Sequence, residues 1–272
     1  YKTLVDTLCQ GYCYPPIHDY KAAFGVPIYP RAVLLGDATK SDMFRHGSRS
    51  LSDALLAEFT KLGGELRLGC EVTGFDGEVL ASSDGPHSGD VFVFAQNADH
   101  PLMRDLIPRS KPPIRYTRFV TAVVRLRESY QPQVRDWGAI FFAPVDAPRA
   151  QVLSMINLQR LYATDALRDH YTVNIRLPAD TAVDDHAIIA AVSRLCSARH
   201  GTPELVTYEV WPQTMPVSNE IFIETVRALQ GVGDCYFAGD YLGCPSMEVA
   251  VATGLDVAQL VYKNHRPAMF GH

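Results

Sequence analysis

The stretch DCYFAGDYLGCPSMEVAVATGLDVAQLV, residues 234–261, constrains the fold of this chain more than any other. A short apolar strand runs into Gly239-Asp240, then a Gly/Pro loop, then a helix rich in small residues. An uninterrupted apolar strand of that length belongs in a sheet covered on both faces. In open α/β sheets ligands bind beyond the carboxyl ends of strands, where Asp240 is expected to stand. A carboxylate there accepts hydrogen bonds from polyol or ribose hydroxyls. The helix starts near Ser246 or Met247. Its first N–H groups lack helical partners and carry the positive dipole end, so they stabilise negative charge on a ligand. Met247, Ala250, Val251, Gly254, Ala258 and Val261 recur at helical spacing, and the small pair Ala250 and Gly254 admits a strand or a flat ring at close range. Spacing alone serves a tightly packed terminal helix, with Asp240 as its cap or turn residue, equally well.

Upstream, the pattern is that of an α/β layer. Residues 1–35 are rich in aromatics and prolines and read as short helical pieces and loops. Leu51, Leu55, Phe59 and Leu62 fall on one helical face, with Ser48 or Ser50 as a cap and Gly63-Gly64 as the stop. Leu66, Leu68, Cys70 and Val72 alternate as a strand, Asp76-Gly77 offers a hairpin turn, and DVFVFAQ (90–96) reads as a buried strand. Residues 115–129 and 137–144 read as strands of a different sheet, 184–201 as an amphipathic helix through Ile188, Val192, Leu195 and Cys196, and 204–216 as a strand ending in a Trp-Pro loop. Helices and strands in this order imply an α/β (α+β) chain whose two parts are interleaved.

Several functions are excluded or disfavoured. The net charge is −5 with mixed signs and no basic tract, so no nucleic-acid footprint is present. No apolar run reaches the roughly 18–20 residues a transmembrane helix needs, which leaves peripheral membrane contact open. The six cysteines form no disulfide framework, and Cys70, Cys196 and Cys235 lie in apolar runs. Reduced thiols and a cytoplasmic location are expected. The nine histidines show no metal-ligand spacing, Cys9 and Cys13 lack a completing pair, and no metal is expected. Nucleophile-elbow, zinc-protease, P-loop and EF-hand patterns are missing.

The segment YFAGDYLGCPSMEVAVATGLDVAQLV resembles the C-terminal flavin motif of the FAD-dependent amine oxidase superfamily, which includes monoamine oxidases, protoporphyrinogen oxidases and phytoene-desaturase-like enzymes. HGSRSLSDALLAEFTKLGGELRLGCEV, DVFVFAQNADHP and TYEVWPQTMP are similar to further segments of that family, so the likeness runs in order over about residues 45–262. The resemblance implies FAD as cofactor. It implies that Asp240 hydrogen-bonds the ribityl chain, that Gly239 lets the backbone approach, and that the Met247 N–H faces flavin N1/O2. It implies that Val72 meets the adenine through its backbone, and that Glu248, Val249 and Ala250 line the flavin side of the helix. Glu248 acts there as a first-turn acid rather than a catalyst.

The resemblance also implies a later part of a Rossmann-like FAD domain (45–108 and 216–272) interleaved with a mixed-sheet-plus-helices substrate domain (1–44 and 109–215). Tyr241, Trp211, Trp137, Phe141 and Phe142 are candidate pocket aromatics, and no catalytic residue is named. Two features depart from the family pattern. Val249 replaces a glycine, and Thr121 is the nearest match to a lysine that amine oxidases often carry. A third departure is larger: the G-x-G-x-x-G unit that holds the FAD pyrophosphate is not in this sequence. Three arrangements account for that: a second polypeptide supplies the unit, the sequence is a fragment, or the chain has lost FAD. The expected reaction is hydride transfer from a C–N or C–C bond of a small organic substrate to FAD. The alternatives are a non-catalytic scaffold subunit with a degenerate flavoprotein fold, or a carrier of a hydrophobic or tetrapyrrole-like ligand.

Overall fold

The computed structural model describes residues 47, 49–107, 114–126, 138–142, 150–177, 182–196 and 201–269, with side chains described as far as His265. The elements, in chain order, begin with α1 (Arg49–Lys61), β1 (Val72–Phe75), β2 (Val79–Ser82), β3 (Gly85–Ser88), β4 (Phe92–Phe94), α2 (Pro101–Leu106) and β5 (Arg115–Tyr116). Then follow β6 (Phe119–Arg125), β7 (Ala139–Phe141), β8 (Gln151–Asn157), α3 (Leu158–Tyr162), β9 (His170–Arg176), α4 (Asp185–Ser193) and β10 (Glu204–Trp211). The last are β11 (Pro216–Val217), α5 (Glu220–Ala228), β12 (Cys235–Phe237) and α6 (Met247–Met269). The chain divides into two compact units, one built from residues within 116–215 and the other from 51–115 with 216–269.

The first unit is an antiparallel sheet in the order β10-β6-β9-β8-β7. In β9, HYTVNIR, Tyr171, Val173 and Ile175 are buried and the residues between them are half-exposed, the period-two pattern of a sheet with one apolar face. That face meets Ile188, Ala191 and Val192 of α4, whose first turn is capped by Asp184 accepting from the Ala187 N–H at 2.7 Å. A register shift between Val152 and Ser154 lets both Val152 and Met155 reach this core although they are three residues apart.

The second unit has a parallel pair, β12 beside β4, with Cys235, Tyr236 and Phe237 opposite Phe92, Val93 and Phe94. An antiparallel meander β1-β2-β3 packs near it through Phe75, whose ring lies 4.7 Å from Phe92 and 5.5 Å from Phe94. The meander's first turn is held by Asp76 Oδ1, which accepts from the Glu78 and Val79 N–H groups at 3.0 and 2.8 Å. Gly77, at φ +108°, takes the left-handed position there, as the Asp-Gly pair implies. Helix α5 buries Phe222, Ile223 and Val226. The outer edge of β12 is closed at Cys235 by the backbone of Gly231 and Val232, and at Phe237 by one side chain. The Gln230 amide accepts from the Phe237 N–H at 2.9 Å and donates to the Phe237 carbonyl at 2.7 Å. On its other side β4 pairs with no described strand, and Val93 is half exposed.

Four sequence expectations need correction. Helix α1 forms and stops at Gly63-Gly64, with the Gly64 N–H donating to the Phe59 carbonyl at 2.9 Å, but none of its residues is buried. Leu62 is 84% exposed, so the apolar stripe is one half of a contact that the described residues do not complete. The strand expected over 66–72 begins only at Val72, because Gly69 turns left-handed at φ +69° and leaves Leu66 and Leu68 in solvent. The helix expected over 184–201 ends at Ser193, while Leu195 and Cys196 still pack on the sheet core from the turn beyond it. Of the two expected caps of α1, Ser50 lies inside the helix and Ser48 falls outside the described residues.

Removing the fully buried Ile188 side chain by Ile188→Ala should lower the unfolding free energy by about 2–5 kcal/mol in urea titrations. Leu62→Ala, on the bare face of α1, should change it by no more than about 0.5 kcal/mol.

Candidate functional site

The candidate site is the bend between β12 and α6. Gly239 has φ +156° and ψ 165°, a region open essentially to glycine alone. A Cβ there would strike the Tyr241 ring. The Gly239 N–H donates to Thr253 Oγ1 at 3.0 Å, and the same hydroxyl donates to the Val249 carbonyl at 2.9 Å. Thr253 thereby ties the bend to the second turn of α6. Asp240 opens a single 3₁₀ turn, half-buried. Burial raises the pKa of its carboxyl, against the opposing pull of its own and the Tyr241 backbone N–H.

The loop ends at Ser246, whose Oγ accepts from the Val249 N–H at 3.2 Å and whose carbonyl accepts from the Ala250 N–H at 3.0 Å. Ser246 is therefore the N-cap, and Met247 is the first residue of α6 with no helical acceptor for its N–H. The Met247 side chain is exposed, and Glu248 is exposed in the first turn. Val249 folds back on its own loop, with Cγ1 3.1 Å from where a Gly243 Cβ would stand. A half-buried carboxylate and a helix N-terminus thus follow one another along a single bend. Together they offer an acceptor for hydroxyls and donors for an anionic or electron-rich group.

The small residues of α6 do not serve tight packing within this unit. Ala250 is exposed, and a Cβ on Gly254 would meet nothing within 4 Å. Gly254 and Ala258 instead line an open apolar groove of about 380 Å³ with Val91, Val93, Val257 and Tyr262. Further along α6, Asn264 donates to the Tyr236 hydroxyl at 3.0 Å and fixes the helix to β12.

The other expected residues disperse. Val72 opens β1 opposite Ser82, within the meander. Tyr241 is not a pocket residue: it is 1% exposed, its ring packs edge-on to Phe222, and its hydroxyl donates to the Phe94 carbonyl at 3.4 Å. Phe142 packs against the core under α4. Phe141 and Trp211 lie on β7 and β10, opposite edges of the five-stranded sheet, so they do not converge. Trp137 falls outside the described residues. Thr121 stands in a polar row across three strands, donating to Asn174 Oδ1 at 3.0 Å while Asn174 donates to Ser154 Oγ at 3.0 Å. Sequence reasoning missed Thr253 and Gln230. Thr253 at least falls four residues after Val249 on the helix. Nothing in the pattern around Gln230 marks its role.

No family model matches the sequence, and no curated protein does. Solved structures do. A reduced UDP-galactopyranose mutase superposes with TM-score 0.61 at 10% identity, over 96% of this chain and 64% of its own. A candidate protoporphyrinogen oxidase from Exiguobacterium sp. 255-15 gives TM-score 0.58 at 15% identity, over 81% and 52%. A fatty acid isomerase from P. acnes that produces CLA gives 0.52 at 15%, over 78% and 52%. The chain shares the fold of these three structures. It spans about half the length of the latter two structures, 52% in each. None of the described helices is long and apolar enough to cross a membrane.

The raised Asp240 pKa fixes the sign of a pH effect. Stability tied to the neutral carboxyl is complete below its unfolded pKa and is lost as pH rises through the higher folded value. In protein freed of ligands, Asp240→Asn should therefore gain stability over the native chain from acid pH to neutrality. Chemical unfolding followed across that range checks it.

Proposed function

We propose that this chain forms the later part of a flavin-dependent oxidoreductase and supplies one wall of an FAD site. The observation that carries the reading is the bend at Gly239-Asp240 followed by the Ser246-capped start of α6. Burial raises the pKa of the half-buried Asp240 carboxylate, backbone N–H groups of Asp240 and Tyr241 oppose it, and a ribityl chain brings hydroxyl donors. Gly239, whose Cβ position is taken by the Tyr241 ring, fixes the shape of the bend, and the Met247 N–H answers the electron-rich side of an isoalloxazine. Val249, turned onto Gly243, leaves the helix face uncrowded. FAD, when bound, supplies the acceptor for a hydride taken from a C–N or C–C bond of a small organic substrate. The residues of this chain bind and orient it, and a separate acceptor reoxidises it.

A second polypeptide segment completes the site. It bears G-x-G-x-x-G and contributes a strand and a helix. Two observations favour this. No described strand pairs with the outer side of β4, where Val93 is half exposed, and another parallel strand fits there. The groove along Gly254 and Ala258 is the shape a neighbouring helix fills at close range. Cys70, Cys196 and Cys235 are free thiols, which fits a reducing compartment such as the cytoplasm.

The test is the absorption spectrum of the native assembly, purified with all chains that accompany it and then denatured. A released flavin spectrum is expected. Its absence from the complete assembly would leave a non-catalytic scaffold as the better reading. Asp240→Ala should weaken flavin retention by about tenfold or more, the cost of losing hydrogen bonds to a charged acceptor. Gly254→Leu separates stability from function. A side chain there meets open space, so thermal unfolding should stay as it is or rise, while the blocked groove releases the partnering segment and the flavin with it.

A further inference from the structure

The meander carries a second constellation, distinct from the bend at Asp240. Cys70 precedes β1, Asp84 lies in the turn between β2 and β3, and His87 is in β3. The antiparallel register of the meander brings them together. Cys70 Sγ lies 2.9 Å from Asp84 Oδ1, and His87 Nε2 lies 2.8 Å from the same oxygen. One ligand atom from each of the three lies within 4.8 Å of the others. We propose that Cys70, Asp84 and His87 bind a divalent transition metal of the zinc type.

The ligand set decides the class of ion. A thiolate with an imidazole and one carboxylate selects zinc and its neighbours and disfavours calcium and magnesium, which take oxygen ligands. Bonds of about 2.0–2.3 Å in a tetrahedron place ligand atoms about 3.3–3.5 Å apart, so opening the present contacts by about half an ångström admits the ion. Three protein ligands leave a fourth position for water or an incoming donor. The side chains are reachable from solvent, with His87 32% and Asp84 41% exposed.

The surroundings support this. Ser82 Oγ donates to Asp84 Oδ1 at 2.5 Å, orienting the carboxylate as outer partners of metal ligands do. The Cys70 thiol, the Ser82 hydroxyl and the His87 ring converge on one oxygen, Asp84 Oδ1, at 2.9, 2.5 and 2.8 Å. Arg67 Nη1 stands 3.5 Å from Asp84 Oδ2 and 3.5 Å from His87 Nδ1, and its Nε donates to Glu65 at 2.8 Å. Being half-exposed, it can keep to Glu65 and to the carboxylate oxygen that faces away from the ion. On binding, the thiol proton goes to solvent, His87 keeps its single ring proton on Nδ1, and Nε2 gives its lone pair to the metal. The charges of the ion, thiolate and carboxylate then cancel. The sequence shows none of this, because the ligand spacings follow the lengths of the meander turns and match no zinc motif.

The test uses the full chain with its co-purifying partners, stripped by chelator and kept reduced. Cobalt(II) alone is added as a probe, and zinc(II) then competes. A stoichiometric sulfur-to-cobalt charge-transfer band in the near ultraviolet is expected, and zinc should abolish it. Cys70→Ser should remove the band. Asp84→Asn and His87→Gln should weaken cobalt binding about tenfold or more. Apparent affinity should rise with pH, because metal binding releases a proton. Circular dichroism checks that each variant folds. If Cys70→Ser does not, the His87→Gln and Asp84→Asn titrations decide. Three results would overturn the proposal: no band in the native chain, a band that survives Cys70→Ser, or affinity unchanged in both His87→Gln and Asp84→Asn. The last two would assign the cobalt to another thiol or to Cys70 acting alone.

Discussion

The parallel pairing of β4 with β12 dictates how the chain must run through this fold. Parallel neighbours cannot be joined by a tight turn, so the chain must leave the sheet and return to it. The whole five-stranded unit lies in that excursion, between Phe94 and Cys235. The pairing also sets where chemistry can happen. It aligns the carboxyl ends of both strands, and only there does the bend at Gly239 release Asp240 and the start of α6 toward a ligand. If β12 slipped by one residue, the side chains of Tyr236 and Phe237 would exchange faces, and the bend would leave the sheet in the wrong direction.

The bend is built to hold its shape without a ligand. Tyr241 fills the space beneath Gly239, Thr253 bonds the Gly239 N–H, and Ser246 caps the helix. These contacts leave the Asp240 carboxyl half-buried, at the cost of a raised pKa. Preorganisation of this kind places the cost in the folded state, where ligand hydroxyls can offset it.

Much of this was legible in residues 234–261. The apolar strand, the Gly-Asp bend, the capped helix and the small-residue stripe each have local causes, and local causes are visible in sequence. The five-stranded unit was legible where periodicity was strict, as in the alternation of β9 and the buried face of α4. What failed were statements about partners. The stripe on α1 predicts a buried face, but burial depends on what lies opposite, and that is not written in the helix. The candidate aromatics failed for the same reason. Trp211 and Phe141 were placed by residue type, whereas strand order put them on opposite edges. The Cys70, Asp84 and His87 group was invisible because register, not spacing, assembles it.

Gln230 has a consequence beyond the strand it holds. With its amide bonded to both the N–H and the carbonyl of Phe237, the outer edge of β12 offers no free backbone groups at that point. A sheet with two open edges can recruit copies from both sides and grow into a fibre. Among the described residues, this one is closed on the β12 side and has no paired strand on the β4 side. Gln230 thus acts as a gatekeeper, and it gives the growth of this sheet a direction.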